Sequence, residues 1–83
     1  MSEHFPGMVE STDLTRLVAA GIEDDTVRAY VGEGCVGWKW LDRTSGKQYG
    51  SMIEVPSDVP QSEIAELLGH QAYQTIRAVR LTP

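Results

Sequence analysis

GCVGWKWLDRTSGKQYGSMIEV, residues 34–55, alternates in side-chain character on either side of a cluster of turn formers. Val36, Trp38 and Trp40 alternate with Gly37, Lys39 and Leu41 up to Asp42-Arg43-Thr44-Ser45-Gly46, and Tyr49, Ser51, Ile53 and Val55 alternate away from it. A period of two on both sides of a turn-forming cluster predicts a β-hairpin, with Gly46 taking positive φ. Alternation puts both tryptophans on one face and Lys39 on the other. Two large aromatics on a shared face of so small a chain read as core under helices. Left exposed, the same pair would anchor a protein partner, or would stack on single-stranded nucleic acid together with Tyr30, Lys39, Arg43 and Lys47.

Upstream, Val27, Ala29 and Val31 alternate with Arg28 and Tyr30 and predict a first strand, joined to the hairpin through Gly32, Gly34 and Gly37. Before it, Ser11 or Thr12 caps a helix with Asp13 in its first turn, Leu14, Leu17 and Val18 supply an apolar stripe, and Gly21 closes it. Met1 to Glu10, broken by Pro6-Gly7, reads as a loosely held arm, which leaves residues 11–83 as a single domain.

Downstream, Pro56 ends the third strand, and Ser57 or Asp58 caps a second helix with Pro60 in its first turn and Ile64, Leu67 and Leu68 as its buried stripe. The last segment supports two readings. Ile64, Leu68, Ala72, Ile76 and Val79 keep the spacing of one long helix to about Arg80, whereas Thr75, Ile76 and Val79 favour strand and Gly69 favours a stop. Taking the strand, from Thr75 to Leu81, the expected fold is α+β: a three-stranded antiparallel sheet plus a fourth carboxyl-terminal strand and two short helices, in the order α-β-β-β-α-β.

Eighty-three residues make one domain with a small core, burying little more than ~60% of the unfolded surface, which disfavours a deep substrate cavity. The single Cys35 excludes an internal disulfide and fits a reducing cytoplasm. No run is long enough to span a membrane, and Met1-Ser2-Glu3-His4 does not start a targeting segment. A net charge of −5 and pI of about 4.8 argue against a non-specific nucleic-acid binder. The charge is segregated. Residues 1–33 and 54–83 are both net acidic, while Lys39, Arg43 and Lys47 outnumber Asp42 in the hairpin. That pattern suits steering toward a charged partner.

Residue chemistry points away from catalysis. His4, His70 and Cys35 lack the close pairing of a zinc site, and no nucleophile elbow is present. Gly32-Glu33-Gly34-Cys35-Val36-Gly37 has the G-x-G-x-x-G spacing, but it leads into a strand and carries an acid, so it lacks the helix start that holds a phosphate. Glu23-Asp24-Asp25 lacks the glycine and closing acid of a calcium loop. No cofactor or metal is expected.

Two stretches of the chain resemble known families. Gly37 to Gly50 resembles the hairpin of arm-type DNA-binding domains in phage tyrosine integrases, which implies three strands followed by a helix; that family is basic and this chain is not. The carboxyl half is similar to small podophage inhibitors of bacterial RNA polymerase, in which a strand ending in E-V-P leads through an acidic helix to a final strand with paired arginines. Glu54-Val55-Pro56, then Glu63 and Glu66, then Arg77 and Arg80 follow that outline. The resemblance implies that these arginines and the acidic surface contact the polymerase.

The expected function is therefore a non-enzymatic protein-binding module that occupies a surface of a larger macromolecular machine, as a small phage-type inhibitor or adaptor that could block a nucleic-acid-binding groove. Its contact would be a basic sheet face of Lys39, Arg43, Lys47, Arg77 and Arg80, or an acidic face of Glu23, Asp24, Asp25, Glu63 and Glu66. The alternative is a nucleic-acid-binding domain that uses the Trp38–Gly50 hairpin.

Overall fold

The computed structural model describes residues 7–24, 26–56 and 58–81. The chain runs β1 (Val9–Glu10), α1 (Thr12–Ile22), β2 (Arg28–Gly32), β3 (Cys35–Leu41), β4 (Gln48–Glu54), α2 (Gln61–Leu81). The four strands form an antiparallel sheet in sequence order. Both helices cover one face of it: Leu14 and Val18 of α1 and Leu68, Ala72 and Ile76 of α2 share a single core with Val27, Ala29, Val36, Trp38 and Trp40.

The hairpin forms as its sequence requires. Trp38 and Trp40 share the inner face and are 2% and 4% exposed. Asp42 organises the turn, accepting from the Thr44 N–H at 3.2 Å and the Ser45 hydroxyl at 2.7 Å, while Gly46 takes φ 78°. Across from Lys39, Gly50 is needed for close approach, because a Cβ there would lie 2.6 Å from the Trp38 carbonyl oxygen.

The two ends of the chain differ from the expected order, which is observed as β-α-β-β-β-α. No strand forms over Thr75–Leu81; the segment continues α2, a helix of 21 residues. The buried positions Leu68, Ala72 and Ile76 recur every four residues, so one helical stripe reaches the core, and that burial outweighs the strand propensity of Thr75, Ile76 and Val79. Gly69 does not stop the helix. It faces α1, where an added Cβ would touch Ile22 Cγ2 at 3.6 Å. The fourth strand comes instead from the stretch expected as an arm, since Val9 and Glu10 pair with Val31 and Tyr30. Residues 1–6 of that arm lie outside the described residues.

Helix α1 is fastened to β2 by short polar contacts. The Ser11 hydroxyl caps it by accepting from the Leu14 N–H at 3.2 Å, and the Ser11 N–H donates to the Ala29 carbonyl at 2.9 Å. Thr15 Oγ1 accepts from the Ala29 N–H at 2.8 Å, so the position where β1 has ended still satisfies the backbone of β2. Gly21 stays helical, and Glu23 closes the helix with φ 55° and ψ 40°. In the second helix, the Pro60 carbonyl accepts from the N–H groups of Glu63 and Ile64, so α2 starts later than a cap at Asp58 would have it; Ser57, the other expected cap, lies outside the described residues.

A left-handed conformation at a residue with a Cβ costs about 1 kcal/mol that glycine avoids. Glu23→Gly should therefore raise the unfolding free energy by roughly that amount, whereas Gly50→Ala should lower it by about 1–3 kcal/mol through overpacking. Urea titrations of both variants check this, and a neutral Gly50→Ala would contradict the close approach.

Candidate functional site

The outer face of the sheet carries a shallow basin lined by Thr26, Arg28, Tyr30, Lys39, Leu41, Arg43 and Gln48. Lys39 is 7% exposed, much less than its place on a solvent-side strand face suggests. Its stem lies over Gly50, and its Nζ sits 5.3 Å from the centroid of the Tyr30 ring. The ammonium is thus held against an aromatic face instead of reaching outward. Arg28 pairs with Glu10 at 3.8 Å, with both side chains about half exposed. Burial raises the Tyr30 hydroxyl above the usual phenol range, and the Glu10 carboxylate adds to this. Arg43 and Lys47 are exposed in the turn.

Arg77 and Arg80 do not share that sheet face, because they stand in the last turns of α2. The podophage-type outline puts paired arginines on a closing strand; here they are helical. Arg80 reaches Asp24 Oδ2 at 3.3 Å, and the Asp24 side chain is only 9% exposed. Burial alone would raise the Asp24 carboxyl. Hydrogen bonds from the Thr26 hydroxyl and N–H, with the charges of Arg80 and Arg43, outweigh burial and hold it below the ordinary carboxylate range.

The acidic set is likewise divided. Glu23 caps α1, Asp24 sits among arginines, and Asp25 lies outside the described residues. Glu63 and Glu66 are exposed near the start of α2, with Glu66 fourteen residues before Arg80, about 21 Å along the helix. Neither proposed charged face is assembled as one patch.

A second groove follows the α1/α2 seam on the side away from the sheet. It has a volume of about 900 Å³, and Leu17, Gly21, Leu67, Gly69, His70 and Tyr73 shape it. Leu17, Leu67 and Tyr73 are 46%, 46% and 50% exposed, so Leu17 and Leu67, expected in the buried stripes, do not belong to the core. Glu63 and Glu66 stand at one end of the seam. A second, adjoining hollow shares Ile22 and Tyr73 with it and is lined by Asp24, Arg77, Arg80 and Leu81, with Asp24 paired to Arg80. The signal for this groove is present in the sequence once residues 61–81 are wound as one helix: Leu67 and Tyr73 then fall away from the Leu68-Ala72-Ile76 stripe.

Among the described residues, no three His, Cys, Asp or Glu side chains gather as metal ligands would, and no helix is long and apolar enough to cross a membrane. Gly34 takes φ 72° in a turn that enters β3, so the glycine-rich segment leads into a strand. Cys35 is partly buried at the start of β3, His70 is exposed on α2, and His4 lies outside the described residues. The chain matches no protein-family model, and searches of curated proteins and solved structures return no match.

Because the folded-state Asp24 carboxyl titrates below its unfolded value, its contribution to stability is full above about pH 4 and is lost as pH falls through the folded value. Between pH 5 and about pH 3, Asp24→Asn should lose less stability than the parent chain in parallel urea titrations. Equal acid sensitivity of the two would contradict the Thr26 and Arg80 contacts.

Proposed function

We propose that this chain is a non-enzymatic protein-binding module that occupies a surface of a larger macromolecular machine, as an inhibitor or adaptor, and that the α1/α2 seam is its contact face. The observation that carries the reading is the half-exposed trio Leu17, Leu67 and Tyr73 in a groove with Glu63 and Glu66 at one end and, at the other, an adjoining hollow that holds Arg77 and the Arg80–Asp24 pair. An apolar strip rimmed by charge is the anatomy of a protein contact, with tyrosine and arginine the residue types that dominate binding energy. A groove between two helices accepts an amphipathic helix laid along it. Charge sets the polarity of that helix: basic residues meet Glu63 and Glu66, and acidic residues meet Arg77, since Arg80 is already paired with Asp24. A standard interface takes about 800 Å² from each partner, which the seam supplies only together with the flanking faces of both helices.

The nucleic-acid reading has less to work with. Both indoles are buried and Lys39 is folded onto Tyr30, which leaves Arg43 and Lys47 as the exposed cations of the hairpin.

Replacing Leu67 and Tyr73 together by Asp should weaken partner binding by at least roughly 30-fold, the effect of one lost hot spot, with circular dichroism and melting unchanged. Arg43→Glu with Lys47→Glu should leave binding within about threefold, because both stand in the hairpin turn outside the seam. Loss of binding confined to the hairpin pair would overturn the seam as contact face. If it came with salt-sensitive retention of an oligonucleotide, the nucleic-acid reading would replace it.

A further inference from the structure

The sheet has two edges of different character. On one side β1 has only two residues, and where it stops Ser11 and Thr15 take over the β2 backbone at Ala29. On the other side β4 runs for seven residues and is the terminal strand of the sheet. Its pairing with β3 is unbroken from Cys35↔Glu54 to Leu41↔Gln48, so no bulge twists that edge away. The Asp42 N–H donates to the Lys47 carbonyl and the Val55 N–H to the Gly34 carbonyl, which fixes the alternation of the ladder. Tyr49, Ser51 and Ile53 bond inward to β3. The N–H and C=O groups of Gln48, Gly50, Met52 and Glu54 therefore point out of the free edge.

Natural sheets blunt such an edge with lysine, proline, bulges or shortness. Between Gln48 and Glu54 there is no proline, no basic residue and no bulge, and the only charge is the terminal Glu54. The strand is also self-complementary. Turned antiparallel on itself about Ser51, it sets Gln48 against Glu54, Tyr49 against Ile53 and Gly50 against Met52, with the outward backbone groups in hydrogen-bonding register and no like charges opposed. Charge agrees at the larger scale. The turn end of the hairpin exposes Arg43 and Lys47, the opposite end exposes Glu33, Glu54 and Asp58, and the two-fold places each basic turn beside the partner's acidic end.

The geometry points to a second copy of this chain as the occupant of the β4 edge, joining two four-stranded sheets into one continuous sheet across a two-fold axis at Ser51. The Ser51 pair is non-hydrogen-bonded, which brings its Cα atoms to about 4.5 Å, inside the range a disulfide can bridge.

Sedimentation of the intact chain should give a dimer of the 9.2 kDa protomer. Met52→Pro removes an outward N–H without touching the β3 ladder, and Ser51→Lys opposes two ammonium groups at the axis. Each should shift the chain to monomer with its circular dichroism retained. Leu67→Asp with Tyr73→Asp, which empties the seam, should leave the dimer intact and so separates this contact from the proposed function. In a Cys35→Ser background, Ser51→Cys should cross-link on oxidation and Gln48→Cys should not. A monomeric parent chain, a dimer that survives both edge variants, or a dimer lost with the seam variant would each overturn the inference, as would cross-linking at both cysteine positions.

Discussion

Helix α2 laid over the tryptophan face of β3 is the contact on which the rest of the molecule depends. Trp38 is almost fully buried, its indole N–H is 3.4 Å from Gln71 Oε1, and Leu68, Ala72 and Ile76 close the same core from above. Removing either indole would cost about 3–5 kcal/mol, a large part of the total stability open to a domain this small. The same contact orients everything outside the core. With one stripe of α2 committed to the sheet, Leu67 and Tyr73 must emerge along the seam with α1, and Arg77 and Arg80 must leave at its far end.

The hairpin was legible because its information is local. A period of two around Asp42-Arg43-Thr44-Ser45-Gly46 leaves one pairing register that buries both indoles, and the Asp42 side chain completes the turn within five residues. The carboxyl segment was not legible in the same way. Thr75, Ile76 and Val79 have strand propensity, and only the tertiary contacts of Leu68, Ala72 and Ile76 decide for helix. Glycine was a poor guide to where helices end: Gly21 and Gly69 are both helical, and the residue that closes α1 is Glu23. Val9–Glu10 could not be read as a strand because two residues carry no period.

Charge was legible as a total and misleading as a map. The counts predict an acidic body and a basic hairpin, but Lys39 is folded onto Tyr30, Asp24 is enclosed by Arg80 and Thr26, and Arg28 answers Glu10. Lys39 and Asp24, which the sequence assigns to recognition, are thus engaged within the fold itself. What remains outward along the α1/α2 seam is apolar, with Glu63 and Glu66 at one end, and for that reason the proposed contact face is the seam and not the sheet.

Amide hydrogen exchange of residues 70–81 tests the continuity of α2 most directly, because core, seam and the placement of both arginines follow from it. Ala72 and Ile76 should exchange as slowly as the buried β3 residues Trp38 and Trp40, with protection declining only in the final turn. Exchange of residues 70–81 at the rate of an unstructured peptide, while β3 stays protected, would contradict it.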